Sequence, residues 1–349
     1  MNKLKSLSPA VKLIIIVLAG VGGVIFSREI SKGVQNGLFF CADALIPSLF
    51  PFMVLSSAAC KTLSFKGKRF NNITKKLFGI SGNAFFAVIT GIFGGYPVGA
   101  VSIRELYKSG AISKSEAEKT AYTAFGAGPA FLISFVGIRL LNSIEIGVIL
   151  LTSQIAAVIT ISFFSKHYIK HDYNSNNEIK IENHNNILVT SVSDAVKGVM
   201  EMCGMVCLFS AILSLTEKHF GVYANLLLEV TSACNKLCAQ KNVTLLAFAA
   251  GFGGICVHFQ VFQILKDIGI RKPIFFLWRI IQGILTSAFT VIQLKIFNIT
   301  VPVFSSVSGT ITPALSGSVI GSIVLILTGV SFLYSISGGK YVRNSRCSK

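Results

Sequence analysis

Four long stretches of this 349-residue chain carry no charged side chain: residues 77–103, 146–165, 242–265 and 296–339. A helix of about 20 mostly apolar residues spans the hydrocarbon core of a bilayer. One such run also suits a buried helix of a soluble protein, but several in one chain exceed what a globular core uses. Composition agrees: 13% of the residues are charged, against about 25% in an average soluble domain. The chain therefore reads as all-α and polytopic, a transmembrane helical bundle of about eight spans. The lipid bilayer is its first partner.

Thirty-two basic residues against fourteen acidic ones give a net charge of +18. In a soluble protein that balance would suggest nucleic acid. Here the cations stand in the connections, where they set orientation and meet anionic head groups. No basic stripe with interleaved aromatics lies outside the apolar runs, which argues against nucleic acid as a partner. Lys61, Lys66, Lys68, Arg69, Lys75 and Lys76 follow one another without an acid, and Lys340, Arg343, Arg346 and Lys349 make the tail basic. Both features mark the cytoplasmic side, so both termini of a multi-pass cell-membrane protein are expected there. Lys3, Lys5 and Lys12 precede an apolar run over 13–26 without a small-x-small cleavage site, which reads as an uncleaved first span.

Cys203/Cys207 and Cys234/Cys238 are each spaced i,i+4, unlike the close CxxC pairs of zinc sites. Small apolar packing is their expected role. No metal and no cofactor is implied. No Walker A, GxSxG, HExxH or paired catalytic carboxylates occur, so nothing points to an ATP-driven pump or an enzyme.

The apolar runs are not uniform. Pro47 and Pro51 lie four apart inside 33–60, where they break the helix or free carbonyls. The run over 77–103 ends Gly91-Ile92-Phe93-Gly94-Gly95-Tyr96-Pro97-Val98-Gly99-Ala100. Four glycines and a proline suit a broken or re-entrant helix, and 77–110 is the segment expected to re-enter. Ser113-x-x-Glu116 offers a capping-box start. Phe125-Gly126-Ala127-Gly128-Pro129 leads into a span to about 141, and another covers 146–165. Further spans are expected over 199–216, 220–238, 274–296 (interrupted only by Arg279 and Lys295) and 317–336. Residues 245–258 contain Gly251-Phe252-Gly253-Gly254 and lead into an amphipathic stretch over 259–268.

An internal repeat is visible. Lys32-Gly33-Val34 and Lys197-Gly198-Val199 open apolar runs 165 residues apart; Gly94-Gly95 and Gly253-Gly254 end runs 159 residues apart. From each Gly-Gly pair a further glycine, Gly110 or Gly269, follows at the same offset, with five identities in the 17 aligned positions. The expected organisation is a first span (1–29), one half (30–165), a polar linker (166–190), an inverted second half (191–299), and a last span with basic tail (300–349). Paired broken segments in two halves point to a transport site at their interface.

Glu229, followed by Thr231 and Ser232, stands in an apolar run, where a carboxylate is costly. It would hold a proton, a cation or a substrate hydroxyl or amine, or else sit at a span end touching water. Arg104 pairs either an anionic substrate or Glu105 and lipid. His258, with Gln260, is a site residue or an interfacial hydrogen-bonder. Half-helix N-termini near Pro97 and beside Gly128 and Pro129 would offer free N–H groups to a carboxylate.

Ala44-Leu45-Ile46-Pro47-Ser48-Leu49-Phe50-Pro51-Phe52, Gly94-Gly95-Tyr96-Pro97-Val98-Gly99-Ala100, Leu228-Glu229-Val230-Thr231 and Gly251-Phe252-Gly253-Gly254-Ile255-Cys256-Val257-His258-Phe259-Gln260 together resemble the nucleoside-recognition, or Gate-domain, membrane family. Within it the resemblance is to the sporulation integral membrane proteins of endospore-forming bacteria. It covers nearly the whole chain, from about Gly33 to the last span. It implies a site between two inverted halves, with Pro47, Ser48, Gly95, Tyr96, Pro97, Gly99, Gly253 and Gly254 among its residues. It also implies export of dipicolinate, a planar dianion, from mother cell to forespore across the outer forespore membrane. A nucleoside-like substrate, or a non-transporting role in spore assembly, stays open beside it, as does a homo-oligomer. Family members commonly carry Gly-Phe/Tyr-Pro-Ser-Gly-Ala-Lys where this chain has Gly95-Tyr96-Pro97-Val98-Gly99-Ala100-Val101, without the hydroxyl and the lysine.

Overall fold

The structure, a computed structural model, describes residues 9–62, 68–168 and 186–299. Among them every regular element is helical. The order is α1 (Pro9–Ile25), α2 (Ser27–Phe40), a π-helical stretch (Cys41–Leu45), α3 (Ile46–Thr62), α4 (Lys68–Phe78), α5 (Gly82–Gly94), α6 (Tyr96–Lys108) and α7 (Lys114–Ala121). A π-helix (Ala130–Leu140) and α8 (Ile144–Tyr168) follow. The second half holds α9 (Ile187–Leu228), α10 (Val230–Ala239), α11 (Val243–Phe252), α12 (Gly254–Ile264) and α13 (Lys272–Ile296).

The outside of this bundle is apolar. Leu13, Ile16 and Leu18 of α1, Ile159 and Phe164 of α8, and Ile284 and Ile292 of α13 are all exposed. Water would penalise such a surface, whereas lipid requires it. The interior is rich in small side chains, with Ala84, Ala87, Ala100, Ala117, Ala247 and Ala249 all buried. Small residues let helix backbones approach closely where lipid supplies no hydrophobic drive between helices. The chain is an all-α membrane bundle.

Four described segments are long and apolar enough to cross a bilayer: Ile144–Lys166, Ile187–Glu217, Val243–Ile264 and Lys272–Ile296. The bent pair Arg69–Phe78 and Gly82–Gly94, turned by 70°, passes the same test only if its two helices count as one broken span rather than a re-entrant loop. The sequence suggests about eight. Glycine, proline and Glu229 divide the other apolar runs into shorter helices, and the expected span over 317–336 and the basic tail lie outside the described residues. The polar linker is also narrower than expected, because α8 continues to Tyr168 and α9 begins at Ile187.

Two further expectations are corrected. The basic stretch after Lys61 is not all loop, since residues from Lys68 form α4. Phe70, Ile73 and Leu77 line one side at i, i+3, i+7, and Phe78 stacks on Phe85 of α5 with ring centroids 5.2 Å apart. The span expected over 220–238 is not continuous. Gly221 kinks it (φ 55°), and Glu229 leaves helical geometry (φ −149°, ψ 118°) to start α10.

Both Gly-Gly pairs mark helix breaks. Gly95 (φ 88°) separates α5 from α6, and Gly253 (φ 87°) separates α11 from α12. An L side chain rarely adopts such angles, so a break at these points calls for glycine. Ser81 caps α5 and Asn242 caps α11, each accepting a backbone N–H three residues on. Gly110 and Gly269 also have positive φ, 73° and 70°. The two breaks differ in shape. Helices α11 and α12 continue as one span-length segment, Val243–Ile264. In contrast, α5 and α6 fold back on each other: a Cβ at Gly99 would lie 3.0 Å from Gly91 Cα. Their outer ends return together to α7, where Glu116 Oε1 accepts the Ser81 N–H at 2.6 Å and Lys119 Nζ donates to Gly79 O at 2.9 Å. Residues 82–108 thus form a helical hairpin, within the segment expected to re-enter the membrane. Ser113 also caps α7 on the Glu116 N–H as the spacing predicts, at 3.2 Å.

Candidate functional site

Four points where the chain abandons helical geometry meet in the middle of the bundle: Gly95, the extended segment ending at Gly128, Glu229, and Gly253-Gly254. A Cβ on Gly128 would sit 3.2 Å from Gly95 N; one on Gly253 would sit 3.1 Å from the Tyr96 ring; one on Gly254 would sit 3.2 Å from Glu229 N. These near-contacts hold the breaks of the two halves against each other. Between them lies a cavity of about 50 Å³, walled by Tyr96, Pro97, Gly128, Glu229, Thr231 and Gln260, with Leu45, Phe131, Met202, Val206 and Val257 as its apolar lining.

The carbonyls at the end of α11 show what holds the second break. The last four C=O groups of a helix lack intrahelical partners. Ala249 O accepts the Gly253 N–H at 2.8 Å. Ala250 O accepts the hydroxyl of Tyr96, from the other half. Gly251 O accepts Arg279 Nη2 at 3.3 Å, and Phe252 O lies 2.9 Å from His258 Nε2. All four carbonyls are thus satisfied, three of them by side chains.

Three helix N-termini face the cavity: α6 at Tyr96 and Pro97, α10 at Val230 and Thr231, and α12 at Cys256. Such ends carry partial positive charge and unpaired N–H groups. One is already capped by a side chain. The Glu229 carboxylate, 3% exposed, accepts from the N–H groups of Thr231 (2.9 Å) and Ser232 (2.7 Å).

The remaining sequence candidates fall elsewhere. His258, fully buried, is caged by the rings of Phe252, Phe275 and Phe276 at centroid distances of 4.7–5.3 Å. It props the α11–α12 break and does not line the cavity. Gly99 packs against Gly91 and the Ala124 carbonyl. Pro129 precedes the π-helix beside Gly128. Pro47 lines a neighbouring pocket with Asp43 and Arg139, which shares Leu45 and Phe131 with the cavity, and Ser48 is the next residue of α3. Arg104 bonds Glu105 through Nε at 3.2 Å, away from the cavity.

Arg104 instead belongs to a polar pocket of about 350 Å³, with Lys61, Lys108, Asp194, Lys197 and Glu201. A constriction of about 20 Å³ shares Gly198, Glu201 and Ile264 with that pocket, and Pro97, Met202 and Gln260 with the central cavity. Beyond the cavity a second polar pocket, about 290 Å³, shares Glu229 and Thr231 with it and includes Ser214, Glu217, Asn225, Ser232 and Lys236. Along α9 the order is polar pocket (194–201), cavity (202–206), polar pocket (210–217). Gly198 and Ser214 are about 24 Å apart at 1.5 Å per residue.

Sequence reasoning missed three polar residues of this region. Gln154 exchanges hydrogen bonds with both the N–H and the C=O of Ala127 (2.9 and 2.7 Å) and so fixes the extended segment. Arg279 Nη1 and Gln282 Nε2 both donate to Phe125 O, at 2.8 and 2.7 Å. Among the described residues no group of three metal-ligating side chains occurs.

The architecture is that of a polytopic membrane protein with a cavity at two broken helices. Its sequence is similar to that of the sporulation integral membrane protein YlbJ of Bacillus subtilis (strain 168), with 23% identity over 321 residues, covering 77% of this chain and 78% of that protein. No family model and no solved structure matches the chain.

Proposed function

We propose that this chain is a secondary transporter or facilitator for a small planar anion, with dipicolinate leaving the mother cell during sporulation as the substrate. The observation that carries this reading is the cavity at the two breaks, in line between polar pockets along α9. Two of the three converging helix N-termini, those of α6 and α12, have no side-chain cap and favour an anion, and the similarity to a sporulation membrane protein supports the setting. In this reading the halves are inverted Gate-like repeats and the basic pocket faces the cytoplasm of the mother cell. The bilayer is the outer forespore membrane, and no chemistry is performed on the cargo. A water needs roughly 10–15 Å³ of such space, so about 50 Å³ holds a few waters and no aromatic diacid. In this reading loading requires the cavity to widen, with the breaks at Gly95 and Gly253 moving apart.

Dipicolinate measured in spores of a strain lacking this chain, with synthesis of the compound intact, tests the reading. Spores with little dipicolinate are expected. Normal spore dipicolinate contradicts the reading, and vesicle flux of uridine without flux of dipicolinate would replace it with a nucleoside permease.

A further inference from the structure

Arg279 is a cation in the interior of a membrane bundle, 1% exposed. No carboxylate pairs with it among the described residues; its partners are Phe125 O, Gly251 O and the Phe275 ring, whose centroid lies 6.0 Å from Cζ, and its Nε has no hydrogen-bond partner. A buried charge without a counter-charge is expensive, and two carbonyl dipoles offset only part of that cost. Its position relates to the cavity. Phe125 lies two residues before Ala127, which lines the cavity, and Gly251 follows Ala250, which holds the Tyr96 hydroxyl. The guanidinium thus stands behind the wall, bonded to both backbone segments that form it. A charge there is poorly screened by salt, and its field extends into the cavity.

We propose that Arg279 determines the charge preference of the cavity, acting as the fixed counter-charge for a bound anion such as an aromatic dicarboxylate. This rests on the cavity being the substrate site. It assigns Arg279 a positioning role for the backbone and, beyond that, a specificity role through its charge. An anion in the cavity supplies a counter-charge beyond the Glu229 carboxyl, which is held by the α10 N–H groups, so binding should also stabilise the fold.

The test titrates the purified full chain in nanodiscs with pyridine-2,6-dicarboxylate and with its neutral isostere, pyridine-2,6-dicarboxamide. Wild type should bind the dianion at least about tenfold more tightly than the diamide, with a rise in melting temperature on saturation. Arg279→Gln should lose about that factor for the dianion while diamide binding holds, and Arg279→Lys should keep the preference. Equal binding of the two by wild type overturns the proposal even if Arg279→Gln does not fold, and so does an equal loss for both ligands in Arg279→Gln, which marks a backbone clamp only. If neither ligand binds wild type, the transport reading itself fails and the proposal falls with it.

Discussion

At Glu229 a carboxylate that costs free energy in an apolar run is satisfied locally, by the N–H groups of Thr231 and Ser232. Glutamine has one acceptor oxygen in place of two, so Glu229→Gln leaves one of those N–H groups without its partner. A loss of about 1 kcal/mol is expected, in the range of other N-cap losses, read as a lower unfolding midpoint in detergent. In the transport reading flux falls much further than that, with normal protein levels, because the carboxylate also borders the cavity; unchanged spore dipicolinate would favour a structural role. The sequence marks Glu229 as an anomaly but not as a cap, because a cap depends on φ and ψ, which residue type alone does not fix. Arg279 left a readable signal: a cation inside an apolar helix, with Gln282 one turn later on the same face. The role of His258 was not readable, since the Phe252 carbonyl reaches it only after Gly253 breaks the helix.

Among the elements, the α5–α6 hairpin depends on close backbone contact. A Cβ on Gly91 would lie 1.9 Å from the Ala124 carbonyl oxygen, and backbone cannot yield as a flexible side chain would. Gly91→Ala should cost about 1–3 kcal/mol or more, visible as a lower melting temperature or failed expression; an unchanged melting temperature would mean the hairpin is looser than described. The glycine pattern over 91–99 made the break legible, and the 159-residue offset located its partner. What the pattern did not show is that one break folds back and the other continues, because that depends on neighbours such as Ala124. A second element-level link joins α7 to the start of α13: Glu118 accepts from Arg271 Nε at 2.7 Å, Arg271 N at 3.1 Å and the Tyr122 hydroxyl at 2.6 Å. Burial raises the Glu118 pKa, but the hydrogen bonds from Tyr122 and Arg271 outweigh it and hold the carboxyl below its ordinary value. A depressed folded-state pKa stabilises the fold above the unfolded-state pKa, and this contribution disappears as pH falls through the folded-state value. Arg271 is largely exposed, so the effect is small, below about 1 kcal/mol. Melting curves from neutral pH to about pH 3 should show a shallower decline for Glu118→Gln than for wild type; identical slopes would remove the pair from the account.

For the whole molecule, the uncharged runs were enough to fix the class, since a chain with this many apolar segments has lipid as its solvent. They were not enough to count spans, because the same glycines and prolines that mark the site also cut runs into half-helices. In the transport reading those cuts border a substrate site. The direct measurement is flux of labelled dipicolinate into proteoliposomes containing the purified chain, beside a variant that fills the cavity. Val257 lines the cavity and is 8% exposed, so Val257→Phe places a ring in the remaining space. The account predicts saturable flux for wild type and flux reduced to that of empty liposomes for Val257→Phe, with the variant still folded by its melting curve. Wild-type flux no greater than that of empty liposomes, or undiminished flux in folded Val257→Phe, would contradict it.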